Sequence, residues 1–474
     1  MVANQAKQAN QANQANQASQ ANQATPANHV ILPSIPSPSA AAISAAEYRR
    51  RRRYLLAALG ETGVALLTAA PERVRNGHTH YPYRQSSDFS YLTGFPEPEA
   101  LLVLVPGRRE GEVVFFCRPR DPERERWEGP RAGVEGVVER YGADQAFPSA
   151  ALDEELPNLL HDRDQLHYPF GHDPDLDARV MTWIRAVRAQ ARAGVRAPTA
   201  LVNLDALLHE ARLFKSKAEV KLMRRAARLS AAAHRQVMRF CQPGRWEYEL
   251  EAEFARACAA SGSRFHAYPP IVGGGANGCI LHYAANDQRL KDGDLVLIDA
   301  GGELEGYAAD ITRTYPVNGR FTPPQRELYE LVLAAQAAAI AKVLPGNRWI
   351  EPHEAAVKTL TRGLVELGLL PGGRKAVPKL IRDEAYKPYF MHRTGHWLGM
   401  DVHEVGDYKR GGDWRRFEPG MALTVEPGLY LAPEREEVPE RFRGIGIRIE
   451  DDLVVTADGH EVLTHQAPKT VAEI

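Results

Sequence analysis

Cysteine is scarce in this chain. There are four in 474 residues, Cys117, Cys241, Cys258 and Cys279, and none forms a CxxC pair. Reduced thiols in a cytoplasmic setting are therefore the expectation. Net charge is nearly absent as well. Lys plus Arg number 59 and Asp plus Glu 60, leaving −1, so there is no electrostatic reason to expect nucleic acid or an anionic membrane as partner. No apolar run reaches the ~18 residues that a bilayer span requires. The N-terminus also lacks the charged region, apolar stretch and small-residue cleavage site of a secretory signal. These absences leave a soluble protein, expected in the cytoplasm.

At 474 residues, the chain exceeds what one hydrophobic core usually organises, so two domains are expected. Residues 4–25 repeat Asn-Gln-Ala or a near variant with a period of three. That period matches neither a helix face nor a strand face and offers nothing larger than Ala to bury, so residues 1–42 read as a disordered low-complexity tail. Arg49 to Arg53 form a run of five arginines between Tyr48 and Tyr54-Leu55-Leu56, read as the solvated face of a first helix. Strand-like runs follow at Val64–Leu67, Ala100–Val105 and Glu112–Phe116, interleaved with helical stretches near 150–161 and 175–191. This is an α/β module over 43–205, with an exit near Ala197-Pro198-Thr199. A second module, 206–474, opens on the capping box Ser216-Lys217-Ala218-Glu219, and Thr322-Pro323-Pro324-Gln325 repeats the signal. Each begins a pair of helices followed by Gly-rich strand sequence. Two similar halves with a site between them are predicted, in an α/β (α+β) architecture.

Five residues in the last third could hold a pair of hard divalent cations: Asp299, Asp310, His396, Glu426 and Glu450. Four carboxylates and one imidazole suit such ions better than zinc alone. Leu295 to Ile298 is an apolar strand ending in Asp299, and the chain returns through Tyr307 to Asp310. A hairpin centred between Leu304 and Glu305 places the two acids directly opposite, ~5 Å apart at Cβ. Ile445 to Glu450 alternates, with three isoleucines on one face and Gly446, Arg448 and Glu450 on the other. Glu426 ends an apolar strand before Pro427-Gly428; alone, an acid in such a place is a surface residue more often than a ligand. Three histidines, His392, His396 and His403, fall within twelve residues among glycines and apolar residues. One should ligate metal, and the others can serve the substrate or proton transfer. His282, in Cys279-Ile280-Leu281-His282-Tyr283, is a weaker candidate of the same kind.

His392 to Glu404, the Asp299/Asp310 hairpin, Glu426-Pro427-Gly428 and Gly446 to Glu450 together resemble the aminopeptidase P and prolidase family. Tyr81-Pro82-Tyr83-Arg84-Gln85-Ser86-Ser87-Asp88-Phe89 and Tyr91-Leu92-Thr93-Gly94-Phe95 resemble that family's N-terminal domain. The resemblance implies an N-terminal α/β domain followed by a pita-bread metallopeptidase domain. It implies a dinuclear site, usually manganese, on Asp299, Asp310, His396, Glu426 and Glu450, with Asp310 and Glu450 bridging. His282, His392 and His403 match histidines that hold substrate and stabilise the tetrahedral intermediate, and Arg448 matches an arginine that supports the cluster. Tyr430 and Trp127 match positions lining the substrate region; Trp127 would reach a site only by domain folding-over or from a neighbouring subunit. A homodimer or homotetramer is implied.

The reaction expected is removal of the residue before a proline in the second position of a peptide. A hydroxide shared by the two metals attacks the carbonyl before proline, Glu426 takes its proton, and His403 assists in neutralising the oxyanion. The Xaa-Pro bond lacks an N–H, so a site that packs the pyrrolidine ring gains specificity. An Xaa-Pro dipeptidase shares the ligands and is the nearest alternative. A non-catalytic pita-bread binding protein would be expected to have lost some of them.

Overall fold

The computed structural model describes residues 43–474; the repeat-bearing segment 1–42 lies outside the described residues. The first helix, Ala45–Leu59, starts where Ser44 accepts a hydrogen bond from the Glu47 N–H, satisfying a donor that the helix cannot. Its arginines do not form one solvated face. Arg51 and Arg52 are only 3% and 2% exposed. Arg51 donates to Tyr91 O at 2.9 Å and lies 3.4 Å from a Glu219 carboxylate oxygen. Arg52 donates to Leu92 O at 2.8 Å and Gly142 O at 3.2 Å. Leu55, Leu56 and Leu59 are buried on the same helix, so two guanidiniums go inward with that apolar stripe and are satisfied there by carbonyls and an acid. Arg49, Arg50 and Arg53 stay exposed.

The front module is a six-stranded mixed sheet. Its strand order is Gln145–Pro148, Val113–Cys117, Leu101–Leu104, Gly63–Thr68, Gln165–Tyr168, Ala200–Asn203. The central strand Gly63–Thr68 runs antiparallel to Leu101–Leu104 and parallel to Gln165–Tyr168. Its buried face packs Val64, Leu66 and Val103 against Leu156, Val180, Trp183 and Val187 of two helices. The module does not end at Ala197–Thr199, because the next strand, Ala200–Asn203, still pairs with Gln165–Tyr168. The linker helix Asp205–Leu213 then leads into the second module.

Helix Lys217–Phe240 begins with the expected capping box: Glu219 Oε2 accepts from the Ser216 N–H at 2.8 Å. It buries Leu222, Met223, Ala226, Leu229, Ala233 and Val237, the spacing of three and four that gives a helix one apolar face. Helix Glu247–Ala260 completes the first pair; Pro323–Ile340 and Ile350–Glu366 form the second. After the first pair, Ile271–Gly274, Leu295–Asp299 and Thr312–Pro316 make an antiparallel sheet. After the second come Ala422–Val425 paired with Asp451–Val455, and Gly428–Leu431 paired with Ile445–Arg448. Ile445, Ile447 and Ile449 face Leu328, Val332, Leu360 and Leu364 of the second helix pair. Each such side chain contributes ~1.5–3 kcal/mol by leaving water, which fixes the opposite face toward the space between the halves. Gly446 serves backbone rather than side-chain approach: a Cβ there would lie 2.1 Å from Gly278 O.

The hairpin register differs from the sequence expectation by two residues. Leu304 pairs with Tyr307, and Asp299 with Thr312 rather than Asp310. The turn residues are Glu305 and Gly306, with φ +52 and +81. A two-residue turn that matches strand twist needs left-handed backbone at both positions, and Gly306 supplies one without strain. Asp310 falls in the break between strands Tyr307–Ala308 and Thr312–Pro316. Gly301 permits that break, since a Cβ on it would lie 1.6 Å from Ala309 O.

Candidate active site

The two halves enclose a cavity of about 480 Å³ whose walls include Asp299, Asp310, His396, Glu426 and Glu450. Asp299 and Asp310 come from the first half and the other three from the second, so the predicted site between halves is where the acids meet. One oxygen or nitrogen each from Asp310, His396 and Glu450 lies within 4.8 Å of the others. The Tyr268 hydroxyl ties the first two acids together, 2.6 Å from Asp299 Oδ1 and 2.5 Å from Asp310 Oδ1. Arg448, 3% exposed, donates to Asp299 Oδ2 at 2.5 Å, Tyr430 OH at 3.0 Å and Thr312 Oγ1 at 3.1 Å. Thr312 Oγ1 in turn donates to Glu450 Oε2 at 2.6 Å.

Burial governs the charge of this cluster. It pushes Glu426 up to about 7 against the downward pull of His396 and Arg448. Burial, then Asp310, Glu426 and Asp299, drive Glu450 well above the carboxylate range. Burial likewise raises Asp299 against the pull of Arg448. Burial alone would lower His396, yet its bond to Asp310 and the Glu426 charge lift it to about 9. Four acids cannot all ionise here without cations among them.

Two details fit a metal pair. The His396 Nδ1 lies 3.0 Å from Trp397 O, so a neutral ring carries its proton on Nδ1 and turns a bare Nε2 toward Asp310 and Glu426, at 3.4 and 3.7 Å. A lone pair facing carboxylates is favourable only with a proton or cation between them, and this tautomer is the one that ligates metal. The Tyr268 hydroxyl has one proton for two carboxylates, so the second contact also calls for positive charge nearby.

Around these residues stand the histidines. His392 Nε2 meets Tyr430 OH at 2.8 Å, and its Nδ1 meets Arg393 O at 2.8 Å. Burial, then Arg448, bring its pKa to about 3. The His403 ring packs edge-on to His396 with centroids 4.4 Å apart, and burial lowers its pKa. His282 lines the cavity from the loop after Cys279. Tyr430 is buried behind His392 and Arg448. Trp127 is not brought to the cavity: it stands on helix Pro122–Glu128, 90% exposed.

Sequence reasoning missed three supports. Tyr268 precedes two prolines and carried no motif. Asp452 accepts the Asp310 N–H at 3.1 Å; the acid run Glu450-Asp451-Asp452 was its only trace. Arg313 donates to Asp451 Oδ1 at 2.8 Å and to the backbone oxygen of Glu450, anchoring the segment that carries that acid.

Four acids gathered around one imidazole, in a chain that also carries a mixed-sheet front domain, form a donor set that fits a metal-dependent hydrolase of two domains. Residues 221–457 match the model of metallopeptidase family M24, and residues 48–168 match the aminopeptidase P N-terminal domain. The Xaa-Pro aminopeptidase of Escherichia coli is 45% identical over 434 residues, 91% of this chain and 97% of that protein. An aminopeptidase of Pseudomonas aeruginosa superposes with a TM-score of 0.90 at 55% identity, covering 91% of this chain and 97% of that one. A zinc-substituted aminopeptidase P of E. coli in complex with product gives 0.88 at 45% identity, over 91% and 97%. The chain belongs to metallopeptidase family M24, and it carries the aminopeptidase P N-terminal domain ahead of its catalytic domain.

Proposed function

We propose that the chain is an Xaa-Pro aminopeptidase that removes the first residue of peptides with proline in second position. The observation that carries this is the gathering in one cavity of four acids, Asp310 and Glu450 buried and Asp299 and Glu426 half-buried, around His396, whose Nδ1 is held by Trp397 O. Likeness to Xaa-Pro aminopeptidases along both domains supports the choice of substrate. In this reading Asp299, Asp310, His396, Glu426 and Glu450 would hold two divalent ions. Manganese is the proposed ion: the donors are four carboxylates and one imidazole, a set suited to it. When bound, such a pair acidifies water and polarises a carbonyl.

The remaining work falls to the side chains. Glu426 lines the cavity, where its carboxylate takes the proton of the attacking water and returns it to the proline nitrogen. His403 and His282 face the cavity and donate toward the carbonyl oxygen as negative charge develops on it. His392 is held by Tyr430 and Arg393 O and orients the substrate from the floor. Leu281, Ile271 and Val402 line the same cavity and give the pyrrolidine ring an apolar wall. Arg448 fixes Asp299 and Tyr430. A front domain over 43–205 and a catalytic domain over 206–474 belong to the same proposal, supported by the sheet that ends at Asn203. So does a homodimer or homotetramer: a tryptophan 90% exposed is a surface that a second copy would cover, and Trp127 would then line that copy's cavity. The four unpaired cysteines suit the cytoplasm as compartment. Among the described residues no helix is long and apolar enough to cross a membrane.

The test is product identity. Incubated with Mn2+ and an Xaa-Pro-Yaa tripeptide, the protein is expected to release free Xaa and Pro-Yaa. An intact tripeptide beside a hydrolysed Xaa-Pro dipeptide would move the assignment to a dipeptidase.

A further inference from the structure

His403 reaches the cavity from a short loop, and that loop is held by the front domain. Asp401 and Glu404 flank Val402 and His403, the two residues that line the cavity. One guanidinium grips both flanks. Arg212, 2% exposed, donates from Nη2 to Asp401 Oδ2 at 2.7 Å and to Glu404 Oε2 at 2.8 Å, and from Nε to Glu404 Oε1 at 3.0 Å. Its Nη1 donates to Asp88 Oδ1 at 2.8 Å, on the front-domain helix Ser87–Thr93. Two more front-domain side chains reach the same loop: Ser87 Oγ donates to Asp401 Oδ1 at 2.6 Å, and Arg84 Nη2 donates to Met400 O at 2.7 Å.

The loop is also closed on itself. The Asp401 N–H donates to Glu404 Oε2 at 2.8 Å, and the Glu404 N–H to Trp397 O at 2.9 Å. Gly399 lets Glu404 and Lys215 pack beneath it, since a Cβ there would meet Glu404 Cδ at 2.7 Å and Lys215 Cε at 2.9 Å. The Lys215 Nζ lies 3.7 Å from Glu404 and donates to Arg212 O at 2.7 Å.

We infer that Arg212 is a positioning residue for the peptidase reaction: by stapling Asp401 and Glu404 to each other and to Asp88, it fixes His403 in the cavity and makes the front domain part of the catalytic apparatus. The inference rests on the functional reading above. A planar fork with five donors can serve three carboxylates in fixed directions; an ammonium cannot. A catalytic side chain whose supporting groups are loose loses rate before it loses substrate.

The experiment pairs Arg212→Lys with Arg212→Ala. Arg212→Lys is expected to lower kcat on an Xaa-Pro-Yaa peptide by about 10- to 100-fold, with KM changed by less than about threefold. Guanidinium chloride, well below denaturing concentration, is expected to restore part of the kcat of Arg212→Ala and to do nothing for Arg212→Lys. Hydrogen exchange supplies a readout independent of activity. In Arg212→Ala, amides of residues 399–404 are expected to exchange faster than in the wild type, while helix Pro323–Ile340 keeps its protection. Wild-type kcat in Arg212→Lys would overturn the inference. So would unchanged exchange at 399–404, or acceleration spread evenly over the chain. If the unsubstituted protein cleaves no Xaa-Pro peptide, the functional reading fails, and exchange at 399–404 still decides whether Arg212 holds the loop.

Discussion

Glu426→Gln is expected to lower kcat/KM for an Xaa-Pro-Yaa peptide by about a thousandfold while the protein stays folded. Glutamine keeps the shape of the side chain, so packing beside Thr424 and Pro427 is undisturbed. What it loses is the capacity to carry a proton, and with it one anionic donor to the metal pair. Burial sets the glutamate at about 7 with no metal bound; bound cations would lower it and leave a carboxylate to receive the water's proton. Its neighbours cannot stand in for it. His392 lies near 3, too weak a base to hold the proton, and its Nδ1 is 3.8 Å from Glu426. Steady-state kinetics beside a thermal melt give the answer. A variant that melts like the wild type yet retains more than about a tenth of its kcat/KM would remove Glu426 from proton transfer.

The second large effect is on stability. Arg448→Met is expected to destabilise the metal-free protein by about 3–5 kcal/mol at pH 8. The guanidinium is buried among Asp299, Glu426, Glu450 and Tyr430, and methionine leaves those acids without their internal cation. The sign of the pH dependence follows from the direction of the shifts. Glu426 titrates higher folded than unfolded, at about 7 against 4.5, and Asp299 and Glu450 are also raised. Such groups support the fold below their unfolded pKa, and that support is lost as pH rises through the folded value. The deficit of Arg448→Met is therefore expected to be small near pH 4.5 and to grow to its full size above pH 7. Added Mn2+ should shrink it at high pH. Urea unfolding in chelator at both ends of that range measures it; a deficit that is constant with pH would mean that Arg448 acts through packing alone.

Much of this molecule could be read from the chain because its signals are local. The capping box at Ser216 and Glu219, the apolar strand into Asp299 and the alternation of Ile445 to Glu450 each depend on neighbours within a few residues, and each formed as expected. The hairpin register lies two residues from the symmetric pairing because turn geometry, here Glu305-Gly306 in left-handed backbone, outweighs the symmetry of the two acids. Even so, an even slip preserves the face, and both acids still meet at Tyr268. Arg51 and Arg52 depart from the expected solvated face for a different reason. Nothing in a run of five arginines reveals that two of them cap carbonyls of a helix some 40 residues away. Tyr268, Asp452 and Arg212 were invisible for the same cause: their partners lie 31 to 192 residues distant, and long-range pairing leaves no spacing to read.

Five side chains from two halves of the fold are proposed to hold a pair of divalent ions. Protein stripped with a chelator and titrated with Mn2+, with bound metal and hydrolysis of an Xaa-Pro-Yaa peptide followed together, tests that most directly. Two ions per chain are expected, with no hydrolysis in the stripped protein and activity returning as the site fills. Full hydrolysis by protein that holds no metal, or stripped protein that takes up no Mn2+, would contradict it.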